Sequence, residues 1–352
     1  MKVFAINSSP RPEGHSKTAL LLNRLVKGMR EGGAQVYQAA LREKKINFCE
    51  GCYTCWTKTP GVCKYNDDMS TELYPRWLEC DLAVYATPLY NLTMTSHLKA
   101  FLERLLPMAE PFVLEKEGTF YHPRRTHYPG TVLLSVCGFP EMAQFDHLSD
   151  YFKRLFGISF RGEILRTGSE ALPHIGPKLE EILGATERAG FELVTRNKIA
   201  VGTLATITQP LEEPELIGQL ANIMWRTCIE EGLTPQEFWD KGIMPRPDSI
   251  ETFLSIMKYG FNSDGAAEAD AVLQFDFSGE HPGSCQIKVE GGTIDTASGA
   301  QYEPSIVIET PFEVWMDIIT GKLDPQQAFM EQKCKATGDF ELLLKMGDWF
   351  GR

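Results

Sequence analysis

Four cysteines crowd into one short stretch. Cys49-Glu50-Gly51-Cys52-Tyr53-Thr54-Cys55 is followed by Cys63, a C-x2-C-x2-C-x7-C run. Thiolates two residues apart can wrap one small metal centre, and four of them can ligate a 4Fe–4S cluster. Zinc fits this spacing less well, because structural zinc sites typically use two separated cysteine pairs. Two other uses of the same residues stay open: free thiols packed beside a cofactor, and a disulfide switch. Cys80, Cys228, Cys285 and Cys334 stand alone and read as small core hydrophobes.

A second group of residues suits phosphate. Ser8-Ser9-Pro10-Arg11-Pro12-Glu13-Gly14-His15-Ser16-Lys17-Thr18 opens directly into an apolar helical pattern. A dianionic phosphate needs converging hydroxyl and backbone N–H donors, and a helix N-terminus adds a favourable dipole. Ser9, Ser16 and Thr18 supply hydroxyls, while Arg11 and Lys17 supply charge. The Gly-Lys-Ser/Thr order of a P-loop is absent. Ser16 also suits a plain N-cap, but capping alone does not call for an eleven-residue polar loop. Further on, Pro88-Leu89-Tyr90-Asn91 offers an aromatic ring to lie against a planar ligand and backbone to bond its edge. Cys137-Gly138-Phe139 offers a glycine that lets backbone approach a ligand closely.

The elements that must position these loops alternate. Apolar, β-branched-rich segments at 3–6, 35–41, 82–87, 131–137 and 160–166 read as strands. Helical patterns fill the intervals, with Leu21, Leu22, Leu25, Val26 and Met29 in the first and others at 94–106, 145–156 and 177–195. Near-continuous apolar strands alternating with helices indicate a parallel sheet covered on both faces. Five such units predict an α/β, flavodoxin-like, doubly wound five-stranded parallel sheet, whose ligand sits at the carboxyl ends of the strands. Each candidate loop follows one of these strands.

With those residues in place, the first 195 positions resemble NAD(P)H-dependent FMN reductases and the iron–sulfur flavoproteins. The likeness rests on residues 3–18, on Pro88-Leu89-Tyr90 with its following Leu98-Lys99-Ala100-Phe101 helix, on the Cys-Gly-Phe-Pro-Glu loop and on the compact cysteine run with Asp67-Asp68-Met69 after it. His15 stands where the family loop usually has Asn. The resemblance implies an FMN-dependent NAD(P)H oxidoreductase that passes electrons to a small-molecule or protein acceptor. It also implies a homo-oligomer, and a 4Fe–4S cluster on Cys49, Cys52, Cys55 and Cys63 as an optional relay. The alternatives are an electron carrier reduced by a protein partner, and a lipid-binding protein whose flavodoxin-like part is not catalytic.

Composition bounds the rest. A chain of 352 residues exceeds one ordinary core. Residues 248–352 hold 18 Asp/Glu against 7 Lys/Arg, whereas residues 1–247 are nearly balanced. That shift, at Met244-Pro245-Arg246-Pro247-Asp248, predicts a boundary. The expected organisation is a flavodoxin-like domain at 1–195, a helical extension and linker at 196–248, and a third part at 249–352. A net charge of −12 argues against nucleic acid. The absence of a long apolar run or a secretory pattern predicts a cytoplasmic protein with no membrane span.

In the last part Leu273, Phe275 and Phe277, and then Cys285, Ile287 and Val289, alternate with polar residues as half-buried antiparallel strands do. Thr310-Pro311-Phe312-Glu313 reads as a capping-box helix start, and a final helix begins near Asp339. Strands followed by helices predict an α+β domain. The LQFDFSGEHPG stretch at 273–283, Glu313-Val314-Trp315 and Gly338-Asp339-Phe340 resemble the sterol carrier protein type 2 family. That resemblance implies an apolar tunnel holding a hydrophobic ligand. No catalytic residue can be named, and the seven histidines form no triad or ligand pattern.

Overall fold

The computed structural model describes residues 1–174 and 177–350. The chain divides into two compact units, Met1–Pro214 and Glu215–Arg352.

The first unit runs β1 (Lys2–Asn7), α1 (Lys17–Glu31), β2 (Gln35–Ala40), α2 (Tyr74–Glu79), β3 (Leu82–Pro88), α3 (Ser96–Glu103), a small hairpin of β4 (Leu114–Lys116) and β5 (Thr119–Tyr121), β6 (Gly130–Val136), α4 (Asp146–Phe156), β7 (Phe160–Arg166), α5 (Pro177–Arg196) and α6 (Val201–Thr208). Five parallel strands lie in the order β2-β1-β3-β6-β7. This is the expected flavodoxin-like order, which reverses between β1 and β3. Side-chain alternation feeds two cores. Val3, Ala5, Val84, Ala86, Val132 and Leu134 meet α1 and α5 on one face. Phe4, Ile6, Ala83, Tyr85 and Leu133 meet α2, α3 and α4 on the other. Neighbouring strand residues thus serve opposite faces, so the strands read as unbroken apolar runs.

Two details hold the helices in place. A Cβ on Gly28 of α1 would stand 1.7 Å from the Glu187 carbonyl oxygen of α5, and one on Gly190 would stand 2.0 Å from that of Leu25. The two helices approach backbone to backbone. Residues 201–208 form α6, which packs against α5 and β7. Its C-terminus is held by the buried Arg166 at the end of β7, whose guanidinium donates to the carbonyls of Thr167, Ile207 and Gln209 at 2.6–2.7 Å. Burial pushes that guanidinium's pKa down to about 10. Removing it strands two helix-end carbonyls. Arg166→Met should therefore destabilise the unit by about 2–3 kcal/mol. Faster amide exchange confined first to Val201–Thr208 would check it.

The second unit comprises α7 (Pro214–Glu231), α8 (Pro235–Asp240), α9 (Ile250–Tyr259), β8 (Asp270–Ser278), β9 (Gly283–Glu290), β10 (Thr293–Ser298), β11 (Ile306–Pro311), α10 (Phe312–Ile319), α11 (Pro325–Met330), β12 (Lys335–Gly338) and α12 (Glu341–Phe350). Its sheet has the order β10-β9-β8-β11-β12. The β8–β9 pair is antiparallel as expected, but β11 joins β8 in parallel. Leu273, Phe275, Phe277, Cys285, Ile287 and Val289 face a core closed by Phe253, Phe312, Trp315, Met316 and Trp349. The capping box at Thr310 does not form. Pairing of β11 with β8 extends through Pro311, so α10 starts at Phe312 with no side-chain cap. The Thr310 hydroxyl lies instead 3.1 Å from the Cys334 sulfur, and Glu313 accepts from the Glu280 N–H. Cys228, Cys285 and Cys334 are buried, while Cys80, in the first unit, is partly so. Burial raises the Cys285 thiol to about 12.

Candidate cofactor site and cysteine loop

The loops after β1 and β3 are joined by buried hydrogen bonds at the point where the strand order reverses. The Ser8 N–H and hydroxyl both donate to the Ala86 carbonyl, at 2.8 and 3.0 Å. The Thr95 hydroxyl donates to the Ser8 carbonyl at 3.1 Å and also caps α3 by accepting from Leu98 N–H. Within the first loop the Ser9 N–H donates to Asn7 Oδ1, and the Ser9 hydroxyl accepts from Arg11 N–H. Ser16 caps α1, its hydroxyl accepting from Ala19 N–H at 3.0 Å. The same hydroxyl keeps a proton to donate, so capping and anion contact are compatible there. Ser9, Ser16 and Thr18 are all buried.

After β3, Tyr90 and Thr93 exchange backbone hydrogen bonds across Asn91 and Leu92, both of which have positive φ, 47° and 63°. Two left-handed residues make a tight reversal. Asn tolerates it, whereas Leu is strained there, and such strain clusters at ligand-binding loops. The Tyr90 ring is half exposed. Pro88 ends β3, and Leu89 N–H donates to the Val136 carbonyl at the end of β6. Cys137 is buried, and burial raises its thiol pKa. Its backbone bridges the neighbouring strand, donating to the Arg166 carbonyl and accepting from Ser169 N–H. The Gly168 N–H donates to the Phe139 carbonyl, leaving the Phe139 ring exposed beside Gly138.

Those last bonds bring in a residue that inspection of the loops after β1, β3 and β6 misses. Glu170, just beyond β7, places Oε1 2.8 Å from Arg11 Nη1 and Oε2 3.9 Å from Lys17 Nζ. Burial lowers the pKa of Lys17; Glu170 opposes that shift, and Arg11 adds to it. One carboxylate thus lies between the two cations expected to meet a phosphate. Its position after a strand end was the available signal.

Cys49, Cys52, Cys55 and Cys63 line one cavity together with Glu50, Tyr53, Lys64, Tyr65 and Arg104. Cys55 is buried and Cys52 exposed. Burial raises the Cys55 pKa, and the other three thiols raise it further. Hydrogen bonding to Thr54 lowers that of Cys52. Among the described residues, no three His, Cys, Asp or Glu side chains converge on a single-ion site. The loop is held by a wholly buried ion pair. Arg104 Nη1 and Nη2 meet Asp67 at 2.8 and 3.1 Å, and Arg104 also donates to the Asn47 carbonyl and the Ser70 hydroxyl. Burial alone would raise the Asp67 carboxyl pKa. Hydrogen bonds from Arg104, Asn47 and Ser70 outweigh that effect and hold it at about 2. The indole of Trp56 donates to the Leu106 carbonyl and packs between Tyr53 and His122.

Comparison with known proteins finds two family matches. Residues 1–118 match the NADPH-dependent FMN reductase family, and residues 262–351 the SCP-2 sterol transfer family. The N-terminal segment is FMN-reductase-like and the C-terminal segment SCP-2-like. The FMN-reductase-like segment contains the loops after β1 and β3 and the whole cysteine run. The chain is 37% identical over 107 residues to an iron-sulfur flavoprotein of Archaeoglobus fulgidus, covering 30% of this chain and 46% of that protein. It is 38% identical over 104 residues to an iron-sulfur flavoprotein of Methanocaldococcus jannaschii, covering 30% and 50%. The chain therefore spans about half the length of these curated relatives. A solved NAD(P)H:quinone oxidoreductase from Methanothermobacter marburgensis aligns with 55% of this chain and 96% of its own, at 18% identity and a TM-score of 0.43. Among the described residues no helix is long and apolar enough to cross a membrane.

Proposed function

We propose that the chain is an NAD(P)H-dependent FMN oxidoreductase whose four clustered cysteines hold an iron–sulfur cluster. The observation that carries the FMN reading is the joined pair of loops after β1 and β3, with Arg11 of the first loop and Lys17 at the start of α1 both gathered on an anion, the Glu170 carboxylate. FMN supplies acceptance of a hydride and release of single electrons. The residues here supply its binding. Ser9, Ser16 and Thr18 with the α1 N-terminus hold the phosphate, the 88–91 backbone and Tyr90 border the ring, and Gly138 leaves room for its edge. The donor set of the cysteine cavity also fits its group. Four thiols line it, the donor type that iron–sulfur clusters take, and Arg104 brings positive charge close to Cys63. Iron-sulfur flavoprotein relatives favour the same reading. The acceptor is a small molecule or a protein, and the SCP-2 match supports a hydrophobic ligand in the second unit.

Two measurements test this. Stopped-flow mixing of FMN-loaded protein with NADH and with NADPH should bleach the flavin with at least one. No bleaching with either points to a carrier reduced by a protein partner. Anaerobic purification should yield about four irons and matching acid-labile sulfide per chain. Cys52→Ser should lose most of that iron while keeping FMN; iron-free wild-type protein would leave a plain FMN reductase.

A further inference from the structure

Lys17 opens α1, where an anion is favoured by the unpaired N–H groups of the helix end, and Arg11 lies in the loop that precedes it. Glu170 engages both through its two oxygens. The carboxylate is about half exposed, so nothing buries it in this position. It lies on the loop after β7, which is anchored independently of the ion pairs, by Ser169 N–H on the Cys137 carbonyl and Gly168 N–H on that of Phe139. The carboxylate can therefore swing away while its loop stays in place. No second acid is paired with Arg11 or Lys17 among the described residues. A phosphate at the α1 N-terminus and the Glu170 carboxylate compete for the same two cations.

Resting on the FMN reading above, we propose that Glu170 is a displaceable counter-anion that occupies the phosphate subsite of the empty protein and weakens FMN binding. Like charges cannot share the subsite at close range without repulsion. Binding of the phosphate must move the carboxylate out into solvent. The device holds the two cations apart from each other's repulsion when no cofactor is present and makes the cofactor exchangeable. Ligands that lack a phosphate are indifferent to it.

The test titrates flavin-free full-length protein, wild type and Glu170→Gln, with FMN and with riboflavin, following flavin fluorescence. Glu170→Gln should bind FMN about tenfold more tightly and leave riboflavin affinity within about twofold. It should also melt lower than wild type when empty and regain more on adding FMN, because Arg11 and Lys17 then lack an anion. Unchanged or weaker FMN binding, or an equal gain for riboflavin, overturns the proposal. Should the Gln variant fail to fold, Glu170→Asp keeps the charge on a shorter stem. It should shift FMN affinity in the same direction, and no shift overturns the proposal. If wild type binds FMN no better than riboflavin, the phosphate-site reading itself falls. If it prefers FMN and neither variant changes that preference, only the role of Glu170 falls.

Discussion

Arg104→Met should release the cysteine loop and cost about 3–5 kcal/mol of stability. Arg104 joins Asn47, Asp67 and Ser70, residues on both sides of the cysteine run, to the end of α3. Its removal leaves the Asp67 carboxylate charged and buried without its cationic partner. Three donors remain on that carboxylate, from the Asn47 backbone, the Asn47 side chain and Ser70 N–H, and they do not neutralise it. Breaking a buried pair from one side costs far more than replacing both partners. The double variant Arg104→Met, Asp67→Leu should therefore recover part of the loss. Denaturant unfolding of the four members of this cycle checks the coupling. Iron content should follow the loop, falling in Arg104→Met even though every cysteine is present.

The same pair gives a pH dependence with a definite sign. The folded carboxyl of Asp67 titrates at about 2, below its ordinary value of 3.8. A group whose folded pKa is depressed contributes stability above its unfolded pKa and loses it as pH falls through the folded one. About 2 kcal/mol should thus disappear between pH 4 and pH 2 in wild type. The acid limb should flatten in Asp67→Asn, and a wild-type curve of the same slope as the variant's would refute the assignment.

Gly190→Ala in α5, or Gly28→Ala in α1, should destabilise the first unit by about 3 kcal/mol or more. Helix propensity by itself favours alanine by about 1 kcal/mol, so the sign is decided by packing. A Cβ at 190 meets the Leu25 carbonyl at 2.0 Å and Met29 N at 2.9 Å, and one at 28 meets Glu187 backbone. These are backbone atoms of regular helices and cannot rotate aside. The helices must separate, opening the core around Leu25, Met29, Ala189 and Leu193. For a unit of this size the melting temperature should drop by about 6–12 °C. Because Ser16, Lys17 and Thr18 begin α1, FMN affinity should fall with it. Gly184, on the same α5, has open space where its Cβ would sit, and Gly184→Ala is the control expected to be neutral or stabilising.

The sequence by itself determined the first unit's architecture, because both faces of a parallel sheet are buried and its strands announce themselves as apolar runs between amphipathic helices. Ser9, Arg11, Lys17, Tyr90 and Gly138 stand out as candidates for a related reason: they are polar or conformationally special residues in the loops that follow such runs. The resemblance of 1–195 and 249–352 to known families was legible too, and the family matches at 1–118 and 262–351 agree with it. The second unit was less so. Its alternating strands were plain, but the parallel β8–β11 pair joins residues more than 30 positions apart, and that pairing moved the α10 start to Phe312 and dissolved the expected capping box.

What only the tertiary structure decided are the partnerships between distant residues. Glu170 meets Arg11 across 159 positions, Arg104 meets Asp67 across 37, and Arg166 reaches the end of α6 across 41. No periodicity encodes such pairs, since a charged residue at a helix or strand end looks the same whether it faces solvent or a buried counter-charge. For the four cysteines, spacing allowed a shared metal centre, free thiols or a disulfide switch, and folding placed all four on one cavity that Arg104 also lines. The type of each residue was written in the chain. Its partner came from the fold.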